Sequence, residues 1–171
     1  MNTTAQPSPS ALEGGCLCGA VRYRYTGDKR TGYRCHCRMC QLAVGNVSAS
    51  FINVRRDAVQ WLKGAPTQYA SSAFATRGFC ARCGSPLTFA FNDSENMDLT
   101  VGSLDDPSSV SPTGHFGVET RVPNWHVADG LEELRADAYE ALNERWKKHY
   151  GDAAPGVDTI RQGGSGGTPP G

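Results

Sequence analysis

Seven cysteines stand in three clusters: Cys16-Leu17-Cys18, Cys35-His36-Cys37-Arg38-Met39-Cys40 and Cys80-Ala81-Arg82-Cys83. Thiolates at such short spacings are soft ligands for a metal ion, and seven of them divide into a set of four and a set of three. Zinc held by four thiolates is closed and structural, whereas zinc held by three protein ligands keeps a position open for chemistry. The count therefore predicts two zinc ions per chain, one holding the fold and one doing work.

Spacing favours one partition. In a strand, residues i and i+2 share a face, so Cys16 and Cys18 can present two sulfurs to one ion, as can Cys35 and Cys37. Cys80-x-x-Cys83 followed by Gly84 reads as a zinc-knuckle turn, the glycine letting the backbone fold back towards the thiolates. Joining the two-cysteine clusters makes Cys16, Cys18, Cys80 and Cys83 a closed site and leaves Cys35, Cys37 and Cys40 as a local trio. A four-cysteine site that recruits Cys40 is the alternative partition. Three thiolates leave a zinc site at net −1, a weak Lewis acid suited to binding another sulfur as its thiolate, so the expected chemistry is thiol activation rather than water activation. Iron–sulfur ligation competes poorly, because a cluster usually takes four cysteines.

The bulk numbers bound the rest. The chain has 171 residues, enough for one domain with a real core. Seventeen Lys and Arg balance seventeen Asp and Glu, which supplies no electrostatic footprint for nucleic acid or an anionic membrane. No apolar run approaches the ~18 residues needed to span a bilayer, and residues 1–10 lack the basic start and apolar centre of a secretory signal. The expectation is a cytoplasmic protein whose clustered thiols stay reduced and bind metal. An odd cysteine count and close C-x-C pairs argue against a disulfide framework.

Residues 1–11 are polar and read as disordered. Residues 151–171 carry seven Gly and three Pro and read as a flexible tail. Residues 12–150 between them form the folded domain. Within it, residues 20–25, 47–54, 60–62, 67–70, 74–79, 86–91, 97–101 and 115–119 read as short strands between turn signals, an antiparallel, mainly β architecture. One amphipathic helix is expected over about 130–149, with Asp129 and Glu132 as its capping box and Leu131, Leu134, Ala138, Ala141, Leu142 and Trp146 on its apolar face. It would pack on the sheet or on a partner subunit, so a homo-oligomer is allowed.

These residues closely resemble the glutathione-dependent formaldehyde-activating enzyme family, which includes centromere protein V. The likeness runs through residues 14–23 (GGCLCGAVRY), Cys35 to Gln41, Gly45, Tyr69 to Ser72, Arg77 to Leu87, His115 to Glu119 and Pro123 to Trp125. The resemblance implies a β-tent of small antiparallel sheets, a structural zinc on Cys16, Cys18, Cys80 and Cys83, and a catalytic zinc on Cys35, Cys37 and Cys40. It also implies the family's reaction, addition of glutathione to formaldehyde, formally a carbon–sulfur lyase run backwards. Leu42-Ala43-Val44 departs from it, being more apolar than the residues that often follow the trio. Partners on this reading are a small thiol such as glutathione and a small aldehyde. A different class of reading is a non-catalytic zinc module that binds a protein or chromatin partner.

Other side chains are candidates for the site, with plain packing as the alternative. His36, between two ligands, would point away from the metal and support the site from behind. His115 and Trp125 are candidates to line the pocket, and His115 to close the second metal site. Arg77 and Arg38 are candidates to receive a carboxylate. Phe74, Phe79, Phe89 and Phe91 read as core.

Overall fold

A computed structural model describes residues 11–153, 155, 156 and 159; all but the last residue of the expected disordered segment and most of the Gly- and Pro-rich tail lie outside them. The described residues form eleven strands and two α-helices, and the strands make two sheets. The small one is β1 (Leu12–Gly15), β2 (Arg22–Tyr25) and β5 (Val59–Lys63), in that order. The large one takes β3 (Thr31–Cys35), β4 (Ala49–Arg55), β6 (Thr67–Ser72), β7 (Ala75–Phe79), β8 (Pro86–Phe91), β9 (Asn96–Thr100), β10 (Ser111–Phe116) and β11 (Glu132–Leu134). Its spatial order is β11-β10-β3-β4-β9-β8-β7-β6. The mainly β architecture is as the strand pattern implied.

Alternation explains which face of each strand is buried. In β2, Tyr23 and Tyr25 are buried while Arg22 and Arg24 face outwards, so β2 presents one apolar face. Tyr23 meets Ile52 and Val54 of β4, Leu87 of β8 and Leu99 of β9 in a core between the two sheets. Tyr23, Ile52, Leu87 and Leu99 have almost no exposed surface, and each such side chain is worth about 1.5–3 kcal/mol of burial. The residues between them, Phe51 and Asn53 on β4 and Asp98 and Thr100 on β9, pair across the ladder and face the other way. That second face carries the site.

Two strand pairings are parallel: β10 runs parallel to β3 and to β11. Antiparallel pairing throughout was the expectation from short strands and turns. Parallel neighbours need a long connection rather than a hairpin, and residues 36–110 and 117–131 supply two of them.

The terminal helix starts later than its periodicity implied. The helix α2 spans Glu140–Tyr150, with Tyr139 at its N-cap. Asp129 caps no helix; its carboxylate accepts from Arg34 at 2.9 Å, from His115 at 3.0 Å and from the Leu131 amide at 3.2 Å. Glu133 and Leu134 pair with His115 and Phe116. A capping box is worth only about 1–2 kcal/mol, so an edge strand and a buried histidine outcompete it. The short helix α1 (Arg38–Val44) follows β3 and ends at Gly45. Among the described residues no helix is long and apolar enough to cross a membrane.

Candidate metal centres and the adjoining cavity

Cys16 and Cys18 sit in the turn that leaves β1, not in the strand. The amide of Gly19 donates to the Cys16 carbonyl at 3.0 Å, and the Cys16 amide to the Val21 carbonyl. The reversal, rather than strand alternation, brings their sulfurs to 3.6 Å. Cys80 and Cys83 occupy the turn from β7 to β8. Gly84 there has φ 75°, a left-handed conformation that glycine adopts without cost, and its amide donates to the Cys80 carbonyl at 2.8 Å. Cys18 and Cys80 sulfurs are 3.8 Å apart, and all four lie within 4.8 Å of one another. Tetrahedral zinc with bonds of ~2.3 Å would set its sulfurs about 3.8 Å apart. The Val21 amide donates to Cys16 Sγ at 3.2 Å, and Ser85 Oγ lies 3.2 Å from Cys83 Sγ while accepting from the Leu17 amide. These bonds tie a turn of the small sheet to a turn of the large one.

The trio is built differently. Cys35 ends β3, Cys37 is the N-cap of α1, and Cys40 lies in the first turn of that helix. Cys37 Sγ accepts from the Cys40 amide at 3.4 Å and lies 3.4 Å from Cys35 Sγ. Arg77 donates to Cys40 Sγ at 3.4 Å, its guanidinium 4.7 Å over the Phe89 ring. Hydrogen bonds from Cys35 and Cys37, then the Arg77 charge, hold the Cys40 thiol well below its ordinary range. Hydrogen bonds with Cys37 and Cys40, then burial, push Cys35 well above it. Packing fixes the position: Gly117, at φ 68°, lies so close that a Cβ on it would come 2.9 Å from the Cys37 amide nitrogen. Each of the two cysteine clusters can hold a metal ion.

His115 does not join the trio. Its Nδ1 lies 2.7 Å from His36 Nε2, and its Nε2 meets Asp129. His36 is buried behind Cys35 and Cys37, where burial and then the Arg121 charge hold its imidazole down to about 4. Its ring borders the smaller cavity and not the one that the three sulfurs line. Trp125 is three-quarters exposed and borders a separate cavity of about 290 Å³ with Arg34, His36 and His126. Arg38 is exposed and donates to Gln41.

Cys35, Cys37 and Cys40 all line a cavity of about 930 Å³ on the second face of the large sheet. Tyr33, Phe51, Asn53, Asp98, Phe89 and Arg77 line it in successive strands, and Leu42, Ala43 and Val44 of α1 border it. Asp98 is 5% exposed. It accepts from Asn53 Nδ2 at 3.0 Å, and burial pushes its carboxyl up to about 6. The sequence pattern does not single it out. The signal was a lone acid alternating with Met97 and Leu99, which is also how an ordinary solvent-facing strand position looks.

A folded-state value raised from 3.8 to about 6 means the folded protein favours the protonated acid. The stabilisation is complete below the unfolded value and is lost as pH rises through about 6. Asp98→Asn, which mimics the neutral acid, is expected to gain roughly 1–2 kcal/mol on the wild type between about pH 5 and 7. Urea unfolding at matched metal content measures the difference; a pH-independent difference would refute a buried, protonated Asp98.

The family model for the glutathione-dependent formaldehyde-activating enzyme matches residues 11–120. The chain belongs to that family. All seven cysteines and Asp98 fall inside the region that matches this family, the formaldehyde-activating enzymes, whereas β11 and α2 fall beyond it. A Schizosaccharomyces pombe protein named as an uncharacterized lyase is 32% identical over 84 residues, 49% of this chain. The match spans 61% of that protein's length. A crystal structure of a Rhodobacter sphaeroides protein aligns with 24% identity and a TM-score of 0.45, covering 58% of this chain and 97% of that one.

Proposed function

We propose that this chain is a zinc-dependent enzyme of carbon–sulfur lyase type that joins a small thiol to a small aldehyde. One zinc ion is held by Cys16, Cys18, Cys80 and Cys83, and a second by Cys35, Cys37 and Cys40. The observation that carries the reading is a three-sulfur cluster, without a fourth protein ligand among the described residues, lining a cavity that also holds a buried carboxyl. The family's name supports glutathione and formaldehyde as the substrates, and the lyase name of the Schizosaccharomyces pombe relative supports the reaction type. In a reducing cytoplasm the seven thiols would remain available for metal.

The reaction forms one C–S bond: the thiol sulfur adds to the aldehyde carbon, and the thiol's proton ends on the former carbonyl oxygen. Zinc at the trio, when bound, supplies the charge that keeps a thiol in its thiolate form at neutral pH. Arg77 holds Cys40 in place and adds positive charge beside the forming alkoxide. Among the described residues Asp98 is the buried acid of the cavity wall; burial holds its carboxyl up to about 6, so it can relay the proton towards the oxygen, most readily as pH falls to that value. Phe51, Phe89 and the α1 residues exclude water from the reacting atoms.

X-ray absorption at the zinc edge tests this reading. Saturating glutathione should raise mean sulfur coordination from about 3.5 to about 4 per zinc. Coordination that ignores the thiol would sink it.

A further inference from the structure

The segment that follows the family-matching region crosses the cavity. At one side, β11 pairs with β10, and Tyr139 meets Phe116 with ring centroids 5.8 Å apart. At the other, α2 docks on the far strands. Trp146 stands edge-on to Phe74 at 5.8 Å, Tyr150 Oη accepts from the Ala73 amide at 2.9 Å, and Arg145 pairs with Asp93 at 2.9 Å. Between these anchors, Leu134, Tyr139, Leu142 and Arg145 line the same cavity as the trio.

The wall that α2 completes is apolar. Leu142 packs with Met39, Phe89 and Phe91 around the Phe74–Trp146 cluster, and all four remain half-buried and line the cavity. The two cations nearby are already committed. Arg77 is held by Cys40 and the Phe89 ring; Arg145 is held by Asp93, the Ala141 carbonyl and the Phe91 ring. A charged group against this wall would lose its water without gaining a counter-ion, which is costly. An aryl or alkyl group would gain by burial there. Cavities of roughly 300–1,000 Å³ enclose ligands of drug size, so formaldehyde leaves this wall untouched.

We propose that α2 makes this a site for aldehydes with an aromatic or long-chain apolar tail, the tail lying on Leu142, Met39, Phe89 and Phe91. The inference rests on the thiol–aldehyde reading and adds the substrate class. Bond changes are as for formaldehyde: the sulfur adds to the carbonyl carbon, the proton goes to its oxygen, and the tail is a spectator.

Calorimetry on the zinc-loaded full chain, with S-methyl-, S-hexyl- and S-benzylglutathione as stable adduct mimics, tests it. S-hexyl and S-benzyl forms should bind at least about tenfold tighter than S-methyl. Leu142→Phe, which fills the space against Phe89 and Phe91, should erase most of that preference while the melting temperature and zinc content stay near wild type. Leu142→Asp, which puts an unpaired charge on the wall, should do the same if the bulkier ring is accommodated. Equal affinities for the three mimics, or a preference that survives both substitutions, would overturn the proposal. Zinc-edge spectroscopy with glutathione is independent of the tail, so failure of the thiol–aldehyde reading would show there and not here.

Discussion

Cys83→Ser is expected to unfold the protein. Zinc on four thiolates contributes ~10–16 kcal/mol of apparent binding free energy, against a total stability of about 5–15 kcal/mol for an ordinary domain. The reason lies in where the cluster stands. Cys16 and Cys80 are buried within the core that joins the two sheets, and the four residues come from turns more than sixty positions apart in sequence. Without Cys83 the three remaining sulfurs would hold the ion weakly, and the small sheet would keep only its apolar face and polar contacts such as Tyr23 Oη to Ser103 Oγ at 2.7 Å. Circular dichroism should show no cooperative melt at 37 °C, or one lowered by tens of degrees, and zinc content should fall by about one ion or more. Chelation of the wild type should reproduce the effect. A cooperative melt at the wild-type temperature would show that the cluster does not hold the fold.

The close cysteine pairs were legible because they depend on spacing alone, whereas the meeting of Cys16 and Cys18 with Cys80 and Cys83 depends on turns of two different sheets. C-x-C and C-x-x-C pairs bring sulfurs together in a strand, a turn or a helix N-terminus, so the grouping holds although Cys16, Cys18 and Cys37 lie outside strands. Strands such as Pro86–Phe91 were legible for a similar reason, since residue alternation is local. What stayed hidden depends on partners far along the chain. Asp129 has a helix-capping sequence around it, but Arg34, 95 residues away, and His115 take its carboxylate. Residues 132–134 carry a helical pattern, yet β10 offers them a sheet edge. Asp98 looks like a surface residue until the second face of the large sheet proves to be a cavity. Local signals settled elements and ligand pairs; pairing across the chain settled what faces what.

Cys37→Ser should have the opposite profile: lost chemistry in a folded protein. The turn that carries the trio has its own scaffold. Gln41 Nε2 donates to the His36 carbonyl at 2.8 Å and to the Thr120 carbonyl at 3.0 Å, Thr120 Oγ1 donates to the same His36 carbonyl, and the His36 amide donates to Phe116. None of these bonds uses a sulfur. Serine is also a favoured N-cap, so α1 keeps its start. The metal site fares worse, for two thiolates and a hydroxyl replace three thiolates. Losing even an outer-shell partner of a metal ligand typically costs 10–100-fold, so thiol–aldehyde adduct formation should fall by at least about 100-fold. Zinc content should drop by about one ion while the melting temperature shifts by only a few degrees. The two cysteine variants therefore separate the roles: if Cys37→Ser unfolds the chain, the trio is part of its scaffold, and if the variant keeps full activity, the chemistry lies elsewhere.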